Sequence, residues 1–256
     1  MHFPKFWAMG GAGKYKCWRS SDVSDADAKS KADAAANLIG DRLDSGDLGR
    51  KYGYPDRAVR EEVLQQSLDA SGKIAWAITR NAYGCDVLNT ARMVFVDVDH
   101  PDAALAKNLD KARRWVDKHQ GWSMRAYRTR AGLRLLATHG LFAPDDPLIV
   151  GDLFPSLDTD PLYARLCKTQ ASFRARLTPK PWRCGCQAPH FRWPWRDAKD
   201  RERFQQWANG YKTAAQKYAT CELAAEIGPR QVHPDLAPMI ALHDERSRVG
   251  SGLPLA

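Results

Sequence analysis

Residues 92–99 read Arg-Met-Val-Phe-Val-Asp-Val-Asp, an apolar, valine-rich run that closes on two carboxylates. A run of this length and composition predicts a largely buried strand, with charge tolerated only at its exit. The residues beyond it fix the strand's neighbourhood. Pro101-Asp102 predicts a helix start, carrying Leu105, Leu109, Ala112 and Val116 as an apolar stripe and stopping near Gly121. Strands are predicted over 123–130 and 132–139, around a tight turn at Arg130-Ala131-Gly132. A helical region over 147–170, broken around Pro155 and Pro161, leads to a last strand over 172–178, ended by Pro179 and Pro181. The order β-α-β-β-α-β is that of ferredoxin-like and RNA-recognition-type (RRM) domains, whose helices cover one sheet face and leave the other open. The predicted class is therefore α/β (α+β). An RRM/ferredoxin-like βαββαβ palm occupies 91–181, an N-terminal α/β segment of 1–90 packs on it, and 182–256 forms a Trp/Cys loop and C-terminal helices.

Strand alternation assigns the faces. Val94, Val96 and Val98 belong against the helices, which leaves Phe95, Asp97 and Asp99 on the open side. The same reasoning turns Arg134, Leu136 and Thr138 outward on the third strand, and Arg174, Arg176 and Thr178 on the fourth. On the second strand it exposes Arg125, Tyr127 and Thr129. Two aspartates at i and i+2 on one strand face bring hard oxygen donors close enough to share Mg²⁺ or Mn²⁺. Arginines around them suit the phosphates such an ion bridges. The competing interpretation is a structural ion-pair cluster in which Arg174 or Arg176 neutralises the carboxylates.

Charge supports the phosphate interpretation. Lys and Arg number 39 against 30 Asp and Glu, a net +9. Twelve basic and five acidic residues lie in 121–196, and 161–196 holds eight basic residues and no acidic one. Tyr163, Phe173, Trp182, Phe191, Trp193 and Trp195 are threaded through the same stretch. Cations for phosphates beside rings for bases predict DNA or RNA and nucleoside triphosphates as partners. No apolar stretch is long enough to span a bilayer, and the N-terminus carries no signal-like apolar region, so a cytoplasmic chain without membrane contact is expected.

The flanks carry weaker signals. Gly10-Gly11-Ala12-Gly13-Lys14 lacks the spacing of a phosphate loop and predicts a hairpin turn between two strands. Ser24 caps an Ala-rich helix running to about Leu43, with Asp25 and Asp27 in its first turn. Residues 60–90 alternate like strands; 60–67 fits helix or strand, and 73–80 is a clear strand. The six cysteines are scattered, which predicts free thiols. Cys184-Gly-Cys186 with His190 has C-x-C spacing and no second pair, which argues for thiols rather than zinc. Residues 197–226 read as one long helix with a core-facing stripe of Phe204, Trp207, Tyr211, Ala215 and Tyr218. Residues 247–256 read as a tail.

The order of motifs resembles the catalytic palm of archaeo-eukaryotic primases and primase-polymerases. Val94-Phe95-Val96-Asp97-Val98-Asp99 matches that family's Asp-x-Asp strand. Arg128-Thr129-Arg130-Ala131-Gly132-Leu133-Arg134 matches in shape the strand that turns into Gly-x-His, with Arg134 in the place of the His. Ser172-Phe173-Arg174-Ala175-Arg176 falls where a third acid would stand and carries arginines instead. The resemblance covers about residues 92–180. It implies metal-dependent nucleotidyl transfer on nucleic acid, with Asp97 and Asp99 holding the metal. Arg134, Arg174, Arg176 and Thr138 would then bind the nucleotide phosphates, and Arg128, Arg130, Lys180, Trp182 and Arg183 would track the strand. With the third acid gone, the same fold also suits a non-catalytic nucleic-acid- or nucleotide-binding module. The haloacid-dehalogenase phosphatases share an apolar strand ending in Asp-x-Asp. There Asp97 would be the nucleophile and Asp99 the acid/base, but Pro101 stands where Thr or Val is usual and the required Lys is not evident.

Overall fold

The computed structural model of the chain describes residues 1–46, 58–99 and 104–256, so the expected helix start at Pro101-Asp102 lies outside the described residues. The chain begins with strands β1 (Phe6–Ala12) and β2 (Tyr15–Ser21), an antiparallel hairpin turning through Gly13 at φ +53°. Helix α1 (Asp25–Asp44) starts as expected, with the Ser24 side chain accepting from the Asp27 amide and Asp25 and Asp27 in the first turn. Its buried stripe is Ala28, Ala32, Ala36 and Gly40. These small residues let the helix lie directly on β1. A Cβ at Gly10 would come within 2.2 Å of the Ala32 carbonyl carbon. Gly10 therefore serves close packing against α1, and Gly13 the turn of the hairpin.

Two four-stranded antiparallel sheets form the body. One is ordered β3 (Glu62–Leu68), β4 (Ile74–Arg80), β5 (Asp86–Thr90), β9 (Phe173–Arg176). The other is ordered β10 (Cys221–Ile227), β7 (Met124–Thr129), β8 (Gly132–Ala137), β6 (Phe95–Asp99). Helix α2 (Leu105–Lys118) buries Ala112, Trp115 and Val116, with Leu105 and Leu109 packed at the edge of the core. A π-helical turn (Ile149–Leu153), α3 (Phe154–Ser156) and α4 (Pro161–Gln170) occupy the region expected to be helical and broken by prolines. One apolar core, with Val94, Phe95, Val96, Leu133, Leu135, Phe154 and Phe173 among its members, spans both sheets. No helix among the described residues is long and apolar enough to cross a membrane.

Three expectations are corrected. The elements follow the β-α-β-β-α-β order along the chain, but β9 pairs with β5, and β10 supplies the fourth strand beside β7. Between β6 and β9 a phenol stands in for the missing ladder. The Tyr163 hydroxyl donates to the Phe95 carbonyl (3.1 Å) and accepts from the Arg174 amide (3.3 Å). The long helix expected over 197–226 ends early: α5 covers Ala198–Ala215 and β10 replaces its second half. The C-terminal residues are not a loose tail, because Ala219 bridges Leu255 and Ala256 is buried. Helix α6 (Ala237–Ser247) lies between these segments.

Candidate functional site

The valines of the β6 region are buried in the core, so Phe95, Asp97 and Asp99 share the opposite face, as alternation predicts. Register carries that face across the sheet. Asp97 stands opposite Arg134, Arg134 opposite Tyr127, and Asp99 opposite Gly132. A Cβ at Gly132 would lie 2.0 Å from the Val98 carbonyl oxygen, so only glycine lets the β7–β8 hairpin close against the strand end that carries Asp99.

The face is not open along its length, which corrects the expectation. Helix α6 crosses it and sets the His243 ring 5.4 Å from Phe95 and 5.0 Å from Tyr127. Arg134 is only 3% exposed beneath it. Its Nη1 donates to the Arg176 carbonyl (3.1 Å) and contacts His243 Nε2 (3.2 Å). A guanidinium only donates, so Nε2 must accept and the imidazole proton sits on Nδ1. Nδ1 in turn reaches Asp244 Oδ1 (2.9 Å), and Arg125 holds Oδ2 of the same carboxylate (2.9 Å). Burial pushes His243 below the usual histidine range, which keeps it neutral.

Beyond α6 the strand end emerges. Asp97 is half-buried and forms no hydrogen bond or ion pair through its carboxylate with another described residue; Asp99 is exposed. Burial pushes the Asp97 carboxyl above the usual range, Arg134 and Arg176 pull it down, and Asp99 and Asp160 add to the rise. Arg176 faces Asp97 from β9. Burial lowers its pKa, and its Nε is enclosed without a hydrogen-bond partner. Arg183 likewise encloses an unpartnered Nη1. Burial, then Arg176 and Arg183, lower the Lys180 ammonium, against the pull of Asp99 and Asp97. Lys180 Nζ lies 5.7 Å from the centre of the Trp182 ring, which meets Tyr83 edge-on at 5.2 Å. Both rings are about half exposed (51% and 49%).

The site thus gathers Asp97, Asp99, Arg134, Arg176, Lys180, Trp182 and Arg183. Four expected members stand elsewhere. Arg174 forms a sheltered ion pair with Glu61 (2.6 Å) and a hydrogen bond to Gln170 (2.9 Å), although it shares a face of β9 with Arg176. Thr138 is buried and hydrogen-bonds the Gln231 and Ser123 carbonyls at the far end of β8. Arg128 stands opposite Leu133, on the sheet face away from Asp97, and Arg130 sits at the hairpin tip. Sequence reading also missed three participants. Asp160 caps α4 by accepting from the Leu162 and Tyr163 amides, and its own amide donates to the Asp97 carbonyl. The Asp160-Pro161 pair was a visible cap signal. His243 and Asp244 gave no local signal.

Asp97 and Asp99 offer the oxygen donors that suit Mg²⁺ or Mn²⁺. Among the described residues no His, Cys, Asp or Glu joins them to make a three-donor group, so water and ligand phosphates would have to complete such an ion's shell. Cys184, Cys186 and His190 form no such group either; the Cys184 thiol donates to the Pro181 carbonyl (3.2 Å). Four cations, Arg134, Arg176, Lys180 and Arg183, stand against three carboxylates, Asp97, Asp99 and Asp160, and that surplus favours an anion. Comparison with protein-family models, curated proteins and solved structures finds no match for the chain.

Proposed function

We propose that this chain binds the phosphates of a nucleotide or nucleic-acid strand at the exit of β6, on a divergent primase-like palm. The observation that carries the proposal is the pair of enclosed, unpartnered guanidinium nitrogens, Arg176 Nε next to Asp97 and Arg183 Nη1 next to Arg176 and Lys180. Folding buries cationic donors at a cost, and an anionic ligand is the partner that offsets it. Trp182 and Tyr83 then offer ring faces to a base, and Lys180 a charge to its phosphate. The palm interpretation draws support from the chain order β6-α2-β7-β8-α4-β9 and from the Asp-x-Asp exit.

Metal-dependent nucleotidyl transfer is the second reading. It is favoured by Asp97 and Asp99 on one strand face, where a divalent ion, when bound, would draw ligand phosphates toward the carboxylates. The arginines on β9, where a third acid would stand, favour binding over turnover.

The test is to incubate the chain with labelled nucleotides and primed or unprimed DNA and RNA, with Mn²⁺ or with EDTA, beside Asp97→Ala/Asp99→Ala. Binding in EDTA that survives in the double variant, with no product in Mn²⁺, is the expected result. Mn²⁺-dependent extension lost in the variant would establish the transferase instead. Absence of nucleic-acid and nucleotide affinity at low salt would contradict both, and phosphate release from a simple ester, lost in Asp97→Asn, would point to the phosphatase.

A further inference from the structure

A cavity of small-molecule size lies away from Asp97. It measures about 560 Å³, opens to solvent, and is lined by β4, β5, the residues following β9, and α5, with the C-terminal end of α6 along one side. That volume falls in the range of small-molecule sites, roughly 300–1,000 Å³. Its walls divide by chemistry. Ile78, Leu177, Ala208 and Ala215 give an apolar surface suited to a flat ring, and the amides of Gln205 and Asn209 border it.

Charged groups line it from both the strands and the helices. Arg80, Lys212, Arg246 and Arg248 line the cavity against two carboxylates, Asp86 and Glu245. Arg80 is committed to Glu62 (2.8 Å) and Asp86 (3.8 Å). Arg248 spends Nη1 on the Gln216 carbonyl (2.5 Å). Arg246 acts on the nearby Asp86 carboxylate by charge, and its hydrogen bond among the described residues is a long one to Gln65, at 3.5 Å. Lys212 forms no side-chain hydrogen bond or ion pair with another described residue. Three cations with unused donors therefore face one space beside an apolar wall.

We propose that this cavity binds a phosphorylated small molecule of nucleotide size, its phosphate held by Lys212, Arg246 and Arg248 and its ring laid against Ile78 and Leu177. The inference does not rest on the Asp97 site. It does place the ligand behind that site, because Leu177, Thr178 and Pro179 in the cavity wall connect Arg176 to Lys180. Tyr211 on α5 ties this connection down through Thr178 Oγ1 (2.9 Å) and the Pro179 carbonyl (2.6 Å).

Calorimetric titration with ATP and with inorganic pyrophosphate, in EDTA, tests the proposal. A Lys180→Ala/Arg183→Ala chain, with the front surface weakened, is expected to keep one ATP equivalent and to prefer ATP to pyrophosphate. Adding Lys212→Ala/Arg246→Ala is expected to weaken that equivalent at least tenfold. Ala208→Trp, which fills the cavity without touching a charge, is expected to abolish it. Unchanged ATP affinity in both cavity variants overturns the proposal, as does loss of all ATP binding in Lys180→Ala/Arg183→Ala alone. Pyrophosphate binding as tightly as ATP overturns the nucleotide-sized ligand.

Discussion

At the level of single residues, the site holds charge that the fold does not need. Asp97 has a raised carboxyl pKa, chiefly through burial. Between the ordinary carboxylate value and the raised one, the folded chain keeps a proton that the unfolded chain has released. Stability therefore falls as pH rises through that window and stays lower above it. Asp97→Asn removes the penalty. We expect its melting temperature at pH 7 to exceed the parent's by about 2–4 °C, the shift that about 1 kcal/mol gives a chain of this size. Below the ordinary carboxylate range the two curves should converge. His243 carries the opposite slope. Its pKa is lowered, so stability is full above the ordinary histidine value of about 6.5 and falls as pH drops below it. Arg134, Arg125 and Asp244 face this ring, and protonation would set a cation against Arg134. His243→Gln, which still offers an acceptor to Arg134, should flatten the pH 5.5–7 slope of the melting temperature, leaving the part due to the half-buried His139. His243→Leu should instead cost about 1–3 kcal/mol at pH 7 and above, by leaving an Arg134 donor unpaired, and less at lower pH, where the parent loses stability through His243.

Elements were legible in the sequence where local chemistry was sufficient. The cap and acidic first turn gave α1, the valine run gave β6, and the Arg130-Ala131 turn gave the β7–β8 hairpin. β10 was not legible, because Cys-Glu-Leu-Ala-Ala-Glu-Ile is good helix-forming sequence. It becomes a strand because the edge of β7 needs a partner, a tertiary demand with no local trace. The partner of β9 was equally hidden. Its alternation turned Arg174 and Arg176 away from the core, where Phe173, Ala175 and Leu177 are buried, but the neighbour was decided by Tyr163 standing between β6 and β9. Tyr163→Phe should therefore destabilise by about 1–3 kcal/mol and speed hydrogen exchange at the Arg174 amide, since a carbonyl and an N–H lose one shared partner. At the other end of β6, Gly132→Ala drives a Cβ into the Val98 carbonyl. It should lower the melting temperature and weaken ligand binding together, because the end carrying Asp99 must move to make room.

For the whole molecule, the excess positive charge resolves into separate places. Part of it is structural: Arg174 with Glu61, Arg125 with Asp244 and Glu226, Arg80 with Glu62. Sequence reading overcounted the site for this reason, since a strand pattern shows which way an arginine points but not which carboxylate waits there. What remains around Asp97 is Arg176, Lys180 and Arg183, beside two half-exposed rings. The central claim is that these cations take ligand phosphates. It is tested most directly by anisotropy of a labelled single-stranded oligonucleotide in EDTA across a salt series, with Arg176→Ala/Arg183→Ala beside the parent. A single strand loses about 0.7 of salt slope per phosphate contact. The account predicts binding weakened at least tenfold and a slope shallower by about 1–2 in the variant. Equal affinity and equal slope in the two chains would contradict it.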